Sequence, residues 1–106
     1  MAKNFKLVVT VPAEDAQRMR SVIGEAGAGR TASGKYEFAS FSSRGIGRFR
    51  PLEGAKPFLG EIGRIEEVEE ERIETVVGED LLENVLAKIR EAHPYEEPVI
   101  DVLELK

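Results

Sequence analysis

The chain has 106 residues, 42% of them hydrophobic and 33% charged, and its 20 acidic and 15 basic residues give a net charge of −5. That length fits one domain with a small core, and the acidic balance argues against a dedicated duplex-DNA binder, which needs a strongly basic face. There is no cysteine, which excludes disulfides and thiolate metal sites.

The N-terminal MAKNFKLVVTV carries neither a long apolar run nor a small-residue cleavage site, so no membrane span or leader is expected and the cytoplasm is the expected location. Phe5 to Val11 is rich in β-branched residues and stops at Pro12, which predicts a strand. Ala16, Met19, Ile23 and Ala26 then recur at helical spacing. Pro12, Glu14 and Asp15 suit the start of that helix, and Gly27-Ala28-Gly29 suits its end. Tyr36 to Ser43 alternates and predicts a second strand, and Val68 to Val77 a third. Gly78-Glu79-Asp80 opens a helix with Leu82, Val85, Leu86 and Ile89 on its apolar face. It must stop near His93, because Pro94 disfavours helical geometry in the residue before it. Val99 to Leu105 is the last strand.

The order is β-α-β-β-α-β, an α+β ferredoxin-like pattern: a four-stranded antiparallel sheet with two helices on one face. Residues 1–106 make a single domain with a long loop at about 44–65. The first strand carries Phe5, Leu7, Val9 and Val11 on one side and Val8 on the other, and the last strand is likewise apolar on both sides. Two helices cover only one face, so other copies of the chain are expected to cover the second.

From Arg44 to Arg64 the loop holds five glycines and two prolines. Structureless loops longer than about 12–15 residues are uncommon in compact domains and are usually functional or disordered. Arg44, Arg48, Arg50, Lys56 and Arg64 oppose only Glu53 and Glu61. Glycines allow close backbone approach, and arginines bind phosphate and carboxylate well. Arg44, Gly45, Gly47, Arg48, Arg50, Lys56 and Arg64 are therefore candidate ligand-binding residues. The alternative is a glycine-shaped connection that packs against a neighbouring subunit. The acidic run that follows, Glu66-Glu67 and Glu69-Glu70-Glu71, reads as a solvated strand edge, with ion pairing to loop arginines of another subunit as a further option.

Two motifs fail. Gly29 to Tyr36 looks like a phosphate loop, but Tyr36 stands where the hydroxyl residue belongs and the segment runs from helix to strand, so it is read as a turn. Gly45-Ile46-Gly47 lacks the third glycine and the helix of a dinucleotide fingerprint. HPYEEP, residues 93–98, holds the only histidine. His93, Glu96 and Glu97 are candidate ligands for a divalent metal, since imidazole with carboxylates suits zinc or copper. The structural reading of the same stretch is favoured: Pro94 ends the helix, His93 serves its C-terminal dipole, Tyr95 buries its ring, and Pro98 admits the strand.

Gly45-x-Gly47-x-Phe49-x-Pro51-x-x-Gly54-Ala55-x-Pro57-x-x-Gly60-x-x-Gly63, together with His93 to Pro98, resembles the YqfO-type domain. That domain occurs alone or as the central insert of NGG-interacting-factor-like, GTP cyclohydrolase type II-like proteins. The HPYEEP ending is also similar to that of CutA proteins. The resemblance spans Phe5 to Leu105 and implies a PII/CutA-like fold that associates as trimers. In the full-length relatives a histidine-rich dinuclear metal site belongs to the flanking domains, and a single histidine cannot supply it, so no enzyme activity is expected of these residues. PII-like relatives bind nucleotides or partner proteins through the loop between the middle strands and the intersubunit cleft. CutA-like relatives are linked to divalent-cation tolerance and can bind copper. The expectation is a trimeric regulatory module for a small anionic ligand, a nucleotide or a partner protein. The alternatives are a CutA-like divalent metal binder and an accessory subunit to a separate enzyme.

Overall fold

The computed structural model describes residues 3–106; Met1 and Ala2, the first residues of the segment in which no leader is expected, lie outside them. The elements are β1 (Asn4–Pro12), a short 3-10 turn (Ala13–Asp15), α1 (Ala16–Glu25), β2 (Phe41–Phe49), β3 (Glu66–Gly78), α2 (Glu79–Ala92) and β4 (Ile100–Leu105). They form one antiparallel sheet in the order β2-β3-β1-β4. The βαββαβ order and the one-sided helix layer are as expected.

The core lies between the sheet and the helices. Leu7, Val9 and Val11 of β1 and Ile73 and Val77 of β3 alternate onto the helix face, where they meet Met19 and Ile23 of α1 and Val85 and Ile89 of α2. All are at most 2% exposed, and burying one such aliphatic side chain stabilises by about 1.5–3 kcal/mol. Helix α1 ends at Gly27, whose φ of +107° is left-handed. Its N–H bonds Gly24 O at 3.0 Å, and Ala28 N–H bonds Ile23 O at 3.2 Å. Helix α2 begins with Glu79 and Asp80 at its positive end and closes with His93 N–H on Ile89 O at 2.8 Å. His93 itself is extended, as Pro94 requires.

Three expectations change. The second strand starts at Phe41, not Tyr36, and runs to Phe49. Residues 36–40 instead dock as a loop: Phe38 is left-handed (φ 60°), its ring lies against Gly24, and Ala39 bonds both Gly29 O and the Thr75 hydroxyl. Arg44 to Phe49 therefore belong to a strand, and the loop is 50–65. Pairing with β3 overrides the weak strand propensity of Ser-Ser-Arg-Gly. Second, the acidic run is a strand edge only in part: Glu66, Glu67 and Glu69 lie beyond the pairing with β1, whereas Glu70 and Glu71 stand opposite Pro12 and Val11 and are each only 9% exposed. Third, the two strands apolar on both sides are not equivalent, since β1 is central and β4 is an edge.

β3 has 13 residues, and its pairing with β1 ends at Pro12 opposite Glu70. Beyond that point residues 46–49 and 66–69 continue as a two-stranded arm. The chain accordingly measures 48 × 23 × 22 Å, with a radius of gyration of 14.8 Å, against about 13 Å for a compact domain of this size.

Candidate functional site: a cleft between the long loop and the turn after α2

Where the arm leaves the sheet, a cleft of about 840 Å³ opens. Thr10 and Glu70 form its floor, the end of β2 and residues 50–59 one wall, and Tyr95, Glu96, Glu97 and Val99 the other. That volume falls within the usual range for small-molecule sites, about 300–1,000 Å³. The two stretches singled out in the sequence thus meet in one place.

Tyr95 organises the junction. Its hydroxyl donates to Glu70 Oε2 at 2.8 Å. Its ring meets Phe49 edge-on at 5.8 Å between centroids and Phe58 at 6.4 Å, geometry that favours aromatic pairs. Burial, the hydrogen bond to Glu70, and the negative charges of Glu70 and Asp15 push the phenol well above the ordinary tyrosine range. On the loop side, Lys56 N–H donates to Glu96 Oε1 at 3.1 Å. Gly47 leaves room for the Glu70 carboxylate, which a Cβ at this position would displace.

His93 is 7% exposed and fully engaged. Tyr95 N–H donates to Nδ1 at 3.1 Å, so the ring proton sits on Nε2, which donates to Thr10 O at 2.7 Å. Thr10 N–H in turn reaches Val99 O at 3.4 Å, one residue beyond the last β1–β4 pair, Val9 and Ile100. Neither imidazole nitrogen keeps a free lone pair, and among the described residues no three His, Asp or Glu side chains converge as a metal-ligating group. Glu96 and Glu97 line the cleft, while His93 lies behind it.

The candidate ligand-binding residues divide. Gly47, Arg48 and Arg50 line the cleft; Arg44, Gly45, Lys56 and Arg64 do not. Arg44 lies on the helix face, where it and Arg20 of α1 clamp Glu71 at 3.0 and 2.6 Å. Hydrogen bonds from Arg20 and then Arg44 hold the Glu71 carboxyl below the ordinary value of 4.5, against the opposing effect of burial. Arg48 pairs with Glu67 at 2.6 Å and Arg64 with Glu61 at 3.1 Å. Each of these pairs forms within the chain. Arg50 and Lys56 make no ion pair among the described residues.

Thr10, Phe49, Phe58, Glu70 and Val99 belong to the cleft but are absent from the sequence-derived site. For Glu70 a signal existed: a βαββαβ order places the third strand inside the sheet, so acids there need partners. The other four come together only through the tertiary fold.

No family model matches the chain. The chain is 46% identical over 97 residues to the GTP cyclohydrolase 1 type 2 homolog of Bacillus subtilis (92% of the chain, 26% of the relative). It is 42% identical over 100 residues to the protein of that name from Mycobacterium tuberculosis (94% of the chain, 26% of the relative). The chain thus spans about a quarter of the length of these curated relatives. Among solved structures, a Bacillus cereus protein related to NIF3 superposes with a TM-score of 0.84 at 41% identity, over the whole chain and 27% of that protein. The periplasmic divalent cation tolerance protein CutA from Archaeoglobus fulgidus matches with a TM-score of 0.68 at 17% identity, over 97% of this chain and 84% of its own. At that identity the likeness to CutA concerns the fold alone. The fold is of the PII/CutA-like class. Within that class the chain is a YqfO-type domain, matching one segment of the longer GTP cyclohydrolase 1 type 2 homologs and of the NIF3-related protein.

Proposed function

We propose that this domain is a PII-like regulatory module that takes an anionic metabolite or nucleotide into the cleft between residues 50–59 and 95–99. The observation that carries this reading is Arg50, a guanidinium on the cleft wall with no ion-pair partner among the described residues. Arginine's planar fork suits carboxylate and phosphate. Calorimetry against a panel of nucleotides and polycarboxylates tests it. Binding should appear for at least one anion and fall at least tenfold in Arg50→Glu; binding that ignores this charge reversal would sink the assignment.

The module is further proposed to assemble as a trimer that covers the open sheet face. Phe41 and Leu103 lie on that face at 67% and 58% exposure, with Val99 beside them at 57%; exposed apolar patches of this kind mark interaction surfaces. A sedimentation run at micromolar concentration that gives a clean monomer would overturn it.

A second reading, an accessory role beside separate enzyme domains, is favoured by the fourfold greater length of the curated relatives. The catalytic name of those proteins is not transferred to these residues. Affinity purification from the native cells separates the two: a catalytic protein recovered in fixed stoichiometry supports the accessory role, and the chain recovered alone supports the self-sufficient module.

A further inference from the structure

The anionic reading accounts for one side of the cleft and leaves Glu70 unexplained. This carboxylate sits on a central strand at 9% exposure and forms part of the cleft floor. Oε2 accepts the Tyr95 hydroxyl, but Oε1 has no hydrogen-bond partner among the described residues, and no Lys, Arg or His pairs with Glu70 there. Its neighbour Glu71 is clamped by two guanidiniums, so the fold balances one of the two interior acids and not the other. Oε1 is not among the fully buried atoms that lack a partner, so it opens to the cleft and is free to meet a donor that enters it. Tyr95, whose hydroxyl meets Glu70, carries Phe49 and Phe58 packed against its own ring, and all three line the same cleft; aromatic faces attract cations. Glu53, Glu96 and Glu97 also line the cleft, which gives it more carboxylates than guanidiniums.

We propose that the ligand of this cleft is dipolar: besides its anionic end it carries an amine or guanidinium that docks on Glu70 beside the Tyr95, Phe49 and Phe58 rings. This rests on the reading of the cleft as a ligand site. Arg50 takes one pole and Glu70 the other, and the rings hold the body between them. A purely anionic ligand would instead lie against the unbalanced carboxylates.

The test uses 2-phenylethylamine and 2-phenylethanol, alike in shape and different in charge, followed by NMR shifts of the Tyr95 and Phe58 rings. The amine should shift both rings and bind at least tenfold more tightly than the alcohol. That preference should vanish in Glu70→Gln, which can still accept the Tyr95 hydroxyl. Equal binding of the two probes would overturn the cationic pole and leave the cleft as a ligand site. A preference that survives Glu70→Gln would overturn the role of Glu70. If neither probe shifts the rings while the anion panel still binds through Arg50, the dipolar ligand is wrong and the anionic reading stands; silence from both sets would end both. Should Glu70→Gln fail to fold, the comparison of the two probes on the unaltered chain decides the matter alone.

Discussion

The Tyr95 hydroxyl bonds Glu70 Oε2 at 2.8 Å, so the turn that follows α2 is fastened to the middle of β3, 25 residues away in sequence. This bond joins the HPYEEP stretch to the acidic run. Removing it by Tyr95→Phe keeps the ring packing and leaves a buried carboxylate oxygen without its donor. Urea unfolding should show a loss of about 1–3 kcal/mol, and an unchanged midpoint would show that the bond contributes nothing.

Tyrosine absorbance offers a separate check. The folded-state value of Tyr95 is raised, so its contribution is present below the ordinary value of 10.0 and is lost as pH rises through the folded value. In a Tyr36→Phe background, which leaves Tyr95 as the only tyrosine, phenolate should appear well above pH 10 or only together with unfolding. Ionisation near 10 with the fold intact would contradict the burial and the bond to Glu70.

The Arg20–Glu71–Arg44 clamp makes a prediction of opposite sign. The carboxyl is held below 4.5, so its stabilisation is complete above about pH 4.5 and drains away as pH falls through the folded value. Glu71→Gln should be less stable than the parent at neutral pH and should lose less on acidification. Parallel stability curves for the two proteins between pH 6 and pH 2 (a window on the order of the carboxylate range) would rule the clamp out.

Two glycines two residues apart should behave differently. A Cβ at Gly47 meets the Glu70 carboxylate, while one at Gly45 meets nothing within 4 Å. Gly47→Ala should cost about 1–3 kcal/mol, as overpacking does, and disturb the Tyr95 ring resonances. Gly45→Ala should lie within about 0.5 kcal/mol of the parent. Equal effects at the two positions would mean that Glu70 is not seated as described.

For His93, the geometry predicts a structural penalty without a metal phenotype. His93→Ala removes two hydrogen bonds and buried volume, and denaturant titration should register about 2–4 kcal/mol. Any zinc or copper affinity should be the same before and after the substitution in a competitive titration. A loss of metal affinity would restore the imidazole as a ligand.

The fold was legible because its signals are periodic. Met19 and Ile23, Val85 and Ile89, and the β1 alternation all mark faces that the core then uses. The second strand was misplaced because Tyr36 and Phe38 alternate without pairing: Phe38 takes a left-handed backbone to lay its ring on Gly24, a contact with no periodic signature. The site was legible in its parts and not in its assembly. Gly47, Arg48, Arg50, Tyr95, Glu96 and Glu97 were marked by composition. That Arg44 turns away to Glu71 follows from strand parity, which becomes readable only once β2 is set in register against β3.

The imidazole of His93 stands in for a rung of the sheet. At Thr10 the ladder between β1 and β4 is failing: the N–H still reaches Val99, but the carbonyl is met by Nε2 in place of a strand amide. One side chain thereby satisfies the backbone group that a longer β4 would have served. The strand can stop at six residues, and residues 94–98 are released from pairing to shape the cleft instead. The sole histidine of the chain thus makes room for the site without entering it.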